Sequence, residues 1–248
     1  MKQQLVPVSE IQKNLRKFKL SGIVNTLELR IKQATDENLG YTEFLGMLLE
    51  DEVSRRADNK RGKLYKSAKL PFEKDISDFD FTFQPSIKKQ EILELATCRF
   101  IEKRANIVFV GQPGTGKTHL SVALAFSALG RGKTALFTTV WDMINSLQQS
   151  RADYSYQKKI QSYLKPDLLI LDELGYRSMA ESTVEDFFEI VSKRYEKGSI
   201  IITSNRPIHL WDSVFIDKTL TTAVVDRLMH HCLAIEIKGE SYRFKKRD

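Results

Sequence analysis

The chain has little of what usually makes a site easy to assign. It carries only two cysteines in 248 residues, Cys98 and Cys232, with neither Cys-x-x-Cys spacing nor a histidine in ligand register. That argues against a disulfide framework and against zinc, and leaves both thiols as small buried hydrophobes. Six prolines and twelve glycines are too few for a fibrous or low-complexity chain, and no internal repeat is present. No apolar run approaches membrane-spanning length, and Met1-Lys2-Gln3-Gln4-Leu5-Val6-Pro7 has no signal-peptide apolar core. The expectation is a cytoplasmic protein without a membrane partner. An Asn-Lys-x-Asp guanine signature is also missing.

What is there is a globular composition, 42% hydrophobic and 29% charged, with 39 basic side chains against 32 acidic ones. The net charge of +7 is unexpected for a protein handling only a free nucleotide, and points to a polyanionic partner such as DNA. Arg55, Arg56, Lys60, Arg61, Lys63, Lys66 and Lys69 stand in one window, opposed inside it only by Asp58. Arg243, Lys245, Lys246 and Arg247 form a second cluster. Either cluster alone reads equally well as a solvated surface; together they favour nucleic acid.

Two patterns divide the chain near residue 70. Before it, Leu15, Leu20, Ile23, Leu27 and Ile31 predict one amphipathic helix across 9–33, and Thr42 is placed to cap a second with Phe44, Leu45, Leu48 and Leu49 on one face. A small all-helical domain over 1–70 is expected. A proline-bounded connector rich in Phe and acids follows, and then strands near 107–110, 134–139, 168–171, 199–203 and 233–237 alternate with helical segments, the first at 87–103. That alternation over 71–248 predicts an α/β fold, a parallel five-stranded sheet covered by helices on both faces, with ligands at the carboxyl ends of the strands.

The most specific signal is Gly111-Gln112-Pro113-Gly114-Thr115-Gly116-Lys117-Thr118, a complete Walker A loop between the apolar run Ile107–Val110 and a helix-like stretch. Glycines let the backbone turn successive N–H groups inward around a polyphosphate, and the following helix N-terminus adds the positive end of its dipole. Lys117 is placed to reach the outer phosphates and Thr118 to complete the shell of a Mg2+ ion. Leu168 to Leu171 end in Asp172-Glu173, a Walker B pattern. On a strand beside the P-loop strand, Asp172 can hold Mg2+ through water, and Glu173 can orient or deprotonate the water that attacks the γ-phosphate. The next strand ends in Thr203-Ser204-Asn205, where the Asn205 amide fits a sensor that positions this water. ATP is the expected nucleotide. His119 is expected near the nucleotide; His230, His231, Trp141 and Trp211 carry no catalytic expectation.

These motifs, with Asp226-Arg227-Leu228 after them, resemble the AAA+ ATPases of the DnaC-like initiator and loader group. Asp172-Glu173-Leu174-Gly175-Tyr176, Thr203 to Pro207, Asp226 to His231 and Gly239-Glu240-Ser241-Tyr242-Arg243 narrow the resemblance to IstB-like helper ATPases of insertion-sequence transposition. Phe79-Asp80-Phe81 and Glu94-Leu95-Ala96-Thr97 extend it over nearly the whole chain. The resemblance implies an AAA+ core with a short or absent C-terminal lid. It also implies an ATP-dependent oligomer that binds double-stranded DNA, partners a cognate transposase and completes its ATPase sites between subunits. In that assembly Arg227 is the candidate finger reaching a neighbour's nucleotide, with Arg206 second, and Arg243 stands where a sensor arginine reaches the phosphates. A replicative helicase loader is the alternative with the same core.

Overall fold

A computed structural model describes residues 6–176, 179, 181–215 and 218–245. Lys246 and Arg247 of the second basic cluster lie outside the described residues. Two compact units divide between Lys63 and Leu64. The division falls inside a helix because Leu64, Tyr65 and Ala68, at its end, pack into the core of the second unit.

The first unit is helical: α1 Val8–Lys17, α2 Ser21–Asp36 and the start of α3 Tyr41–Ala68. The single helix expected over 9–33 is therefore two. Lys19 takes a left-handed φ of 58°, and the chain restarts at Ser21-Gly22. Gly22 explains the restart, since a Cβ there would come within 2.6 Å of the Glu52 Cα on α3. This close approach brings the Glu52 carboxylate under the new helix, where it accepts from the N–H groups of Gly22 at 2.6 Å and Ile23 at 3.3 Å. Two amides that no helix can satisfy internally are paired, and the negative charge meets the positive helix end. Ile23, Leu27 and Leu48 form the small core, with Leu15, Leu20, Ile31 and Phe44 against it. The expected shared face on α3 is corrected: Phe44 and Leu48 turn inward, while Leu45 and Leu49 are 55% and 52% exposed. The helix begins at Tyr41, one residue before its expected cap, and Glu43 accepts from the Gly40 N–H instead.

In the second unit, five parallel strands lie in the order β2-β3-β4-β1-β5: β1 Asn106–Gly111, β2 Ala135–Thr139, β3 Leu168–Leu174, β4 Ser199–Ser204 and β5 Cys232–Ile237. Strand alternation divides the core in two. Ile107, Phe109, Leu168, Ile170 and Ile201 face helix α6 Lys117–Gly130 and the pair α4 Lys89–Leu95 and α5 Arg99–Glu102. Val108, Val110, Leu169, Leu171, Ile200 and Ile202 face α7 Val140–Ala152, α8 Tyr156–Leu164, α9 Glu181–Arg194 and α10 Lys218–Met229. Each such side chain contributes roughly 1.5–3 kcal/mol through removal from water, enough to hold loops of unfavourable backbone at the strand ends. Asn106 locks the other end of the sheet: its side chain accepts from Ile200 N–H and donates to the Leu228 carbonyl.

Two expectations change here. The segment 87–103 is broken at Cys98, whose φ is 63°. The Walker B strand β3 is not beside the P-loop strand β1, because β4 lies between them. After β5 the described chain carries one short helix, α11 Tyr242–Lys245.

Candidate nucleotide site

Strand β1 is buried on both faces until Gly111, after which the loop rises from the sheet's carboxyl edge into α6. Gly114 and Gly116 have φ of 81° and 98°, a left-handed backbone that disfavours side chains. Space forbids a side chain as well. A Cβ on Gly116 would strike the Phe79 ring from the connector, and one on Gly114 would strike the Ser241 side chain. The loop is thus held between two distant segments. Tyr242 N–H donates to the Gly114 carbonyl at 3.0 Å, and the Gln84 side chain donates to the Glu240 carbonyl at 3.0 Å. Phe83 packs edge-on against Tyr242, tying connector and C-terminal segment together.

These elements wall a cleft of about 580 Å³ that takes in the P-loop from Gly114 to Thr118, along with Phe79, Asp172, Glu173 and Arg243. Its size suits a nucleotide. Lys117 Nζ donates to the carbonyls of Gly111 and Gln112, both at 2.8 Å, which holds the ammonium over the loop. Burial pushes its pKa down, and Arg243 adds to this while Asp172 and Glu173 oppose it. Arg243 and Lys117 line the same cleft. His119 also lines the cleft, packed edge-on to Phe79, and burial lowers its pKa so that the neutral imidazole is favoured.

Although β4 separates the strands that carry them, Thr118 and Asp172 meet: the hydroxyl donates to the two carboxylate oxygens at 3.0 and 3.1 Å. A hydroxyl and a carboxylate are the hard oxygen donors that Mg2+ takes, so the residues present fit that ion. Thr118 and Asp172 would hold Mg2+, which would supply charge neutralisation at the phosphates. Asp172 and Glu173 both line this cleft.

The other expected residues are elsewhere. Asn205 follows β4 with its amide oxygen buried and without a hydrogen-bond partner, and the β4 side chain that bonds to the Walker B segment is Thr203. Sequence alone does not single out Thr203, because a threonine near a strand end has no distinguishing pattern. Arg227 lies at the opposite end of the sheet, grouped with Asn106 and Ile200 at the starts of β1 and β4. Its guanidinium sits over the Phe188 ring at 5.1 Å and donates to the Ala223 carbonyl at 3.0 Å. Arg227 thus faces away from the nucleotide cleft of its own chain. Arg206 is held at the carboxyl end, donating to Ser213 Oγ at 2.8 Å.

Arg55, Arg56, Lys60, Arg61 and Lys63 are all exposed on α3. At 100° per residue, all but Arg61 fall within an arc of about 140°, a basic stripe in the first unit. Lys66 and Lys69 are exposed in the second unit. Among the described residues no helix is long and apolar enough to cross a membrane.

Comparison with known proteins agrees with this geometry. A family model described as IstB-like ATP binding protein matches residues 13–248. A putative ATP-binding protein of insertion sequence IS5376 from Geobacillus stearothermophilus is 39% identical over 214 residues, covering 86% of this chain and 85% of the relative. Its counterpart in IS21 from Pseudomonas aeruginosa is 38% identical over 238 residues, covering 96% and 90%. Among solved structures, the DnaC helicase loader superposes with a TM-score of 0.54 at 25% identity, covering 60% of this chain and 88% of that one. AMPPCP-bound DnaA from Aquifex aeolicus gives 0.58 at 26%, covering 72% and 54%. The fold is that of the AAA+ proteins, and the chain belongs to the IstB-like ATP-binding protein family.

Proposed function

We propose that this protein is a Mg2+-dependent ATPase that assembles on double-stranded DNA and assists a cognate transposase in choosing its insertion site. The observation that carries the hydrolytic part is the placement of Glu173. Glu173 lines the same cleft as the Walker loop, beside an Asp172 already engaged by Thr118. In the proposed reaction the P-loop amides and Lys117 hold the phosphates, Thr118 and Asp172 hold the metal, and Glu173 takes the proton of the attacking water. Arg243 adds charge at the outer phosphates.

The position of Arg227 supports a shared site. A side chain at the amino end of the sheet cannot serve its own P-loop at the carboxyl end, but it is free to enter a neighbour's. Such arginines contribute roughly 10³ to 10⁵ in rate, so turnover would depend strongly on assembly. The exposed basic stripe on α3 supports DNA as the scaffold, since phosphate contacts from arginine and lysine need no sequence. The names of the relatives, ATP-binding proteins of insertion sequences, support transposition over helicase loading as the setting.

The test is ATP turnover by the purified protein with and without duplex DNA, alongside Glu173→Gln. Hydrolysis that rises with DNA and falls by about 10²-fold or more in the variant, with nucleotide still bound, is expected. Wild-type turnover in Glu173→Gln would remove the assigned base. Capture by the transposase encoded beside it, and failure of capture by a replicative helicase, is the expected partner result; the reverse would make it a helicase loader.

A further inference from the structure

Two consecutive residues of a strand normally point to opposite faces of the sheet, yet Asp172 and Glu173 both line one cleft. The register of β3 against β4 shows how. Leu171 pairs with Ile202 and Leu174 with Ser204, so β3 spends three steps where β4 spends two. One extra residue is inserted at Asp172-Glu173, a bulge, and Glu173 carries it with a φ of 65°. For a residue with a side chain this backbone is disfavoured, and it persists only where surrounding contacts impose it.

Thr203 supplies those contacts. It lies opposite the bulge, between Ile202 and Ser204, and is 1% exposed. Its single hydroxyl accepts from the Glu173 N–H at 3.0 Å and donates to Asp172 Oδ1. The first bond replaces the ladder bond that the extra residue disrupts. The second fixes the Asp172 carboxylate at Oδ1, an oxygen that the Thr118 hydroxyl also reaches. Ser204 closes the bulge, its hydroxyl donating to the Leu174 carbonyl at 2.8 Å.

From this we infer that Thr203 is a positioning residue: its hydroxyl clamps the β3 bulge and so sets the metal-holding Asp172 and the water-activating Glu173 in one cleft. It acts through both acids. The inference rests on the hydrolytic reading above for its effect on turnover, while its structural part stands apart from that reading.

Thr203→Val keeps the shape and β-branching while deleting the hydroxyl, Thr203→Ser keeps the hydroxyl, and Thr203→Ala is the second deletion should valine prevent folding. Amide exchange, equilibrium ATP binding and turnover are measured on each full-length protein. Valine or alanine should speed exchange at Glu173 relative to its strand neighbours and lower kcat by about 100-fold, the scale of a small displacement of a catalytic group. ATP affinity should change by less than about threefold, because the P-loop is untouched. Serine should restore protection and bring kcat to within about threefold of the parent. Unchanged exchange at Glu173 in the deletions, parental turnover in them, or serine as slow as valine would overturn the clamp. A parent that binds ATP without turning it over would overturn the hydrolytic reading alone, with exchange at Glu173 still deciding the clamp.

Discussion

Thr118 and Asp172 are 54 residues apart in sequence, and the threonine hydroxyl donates to both oxygens of the aspartate. The hydrogen bonds span an intervening strand, because the loop after β1 carries Thr118, in the first turn of α6, to the end of β3 although β4 lies between the two strands. Here the two Walker motifs become one site, and the first prediction concerns the loop on its near side.

Lys117→Ala should weaken ATP binding by on the order of 100-fold, since the ammonium is already held over the loop by the Gly111 and Gln112 carbonyls and needs little reordering to meet phosphate. Isothermal titration with ATP reads this directly. A variant that binds ATP as tightly as the parent would show that the backbone amides suffice.

The placement of Arg227 leads to a mixing experiment. Arg227→Ala and Lys117→Ala should each be nearly inactive, and their mixture should recover part of the turnover, because some interfaces then pair an intact P-loop with an intact arginine. The alternative role is structural, through the Phe188 ring and the Ala223 carbonyl. Recovery at no mixing ratio would favour that role.

Acid should weaken the helical unit. Arg30 grips Asp51 through two bonds of 2.8 Å, and that pairing lowers the Asp51 pKa from 3.8 to about 2. A carboxylate with a depressed folded pKa contributes stability that is complete above its ordinary value and lost as pH falls through the folded one. Amide protection in α2 and α3 of the full chain should therefore hold above pH about 4 and fall toward pH about 2, with Asp51→Asn already weakened at neutral pH. Equal protection in parent and variant at pH 7 would show that the pair contributes nothing.

Much of this is legible in the sequence, and the reason is chemical. Glycine at 114 and 116 is required by backbone sign and by Ser241 and Phe79, so the P-loop announces itself; five short apolar runs separated by helical stretches announce a parallel sheet. What stays hidden depends on neighbours far apart in the chain. The break before α2 is set by Glu52, thirty residues away, meeting Gly22. The outward turn of Leu45 and Leu49 follows from how little of α3 the small core can cover. Strand order is not written in strand composition, so nothing in the residues of β4 places it between the Walker strands. Thr203 matters only because a bulge lies opposite it.

The basic stripe on α3 gives a graded prediction. Replacing Arg55, Lys60 and Lys63 together with glutamine should weaken duplex binding across unrelated sequences. The slope of log affinity against log salt should fall by about 0.9 for each phosphate that is no longer neutralised. An unchanged slope would place the DNA surface elsewhere.

The central claim is that ATP in this cleft drives assembly on DNA, and the most direct test is fluorescence anisotropy of a labelled duplex titrated with the protein. Titrations without nucleotide, with ATP and with ADP are run in parallel, using Glu173→Gln to keep ATP intact. Tight, cooperative, salt-sensitive binding is predicted with ATP, and at least tenfold weaker binding with ADP or no nucleotide. Equal affinity in all three conditions would contradict the claim.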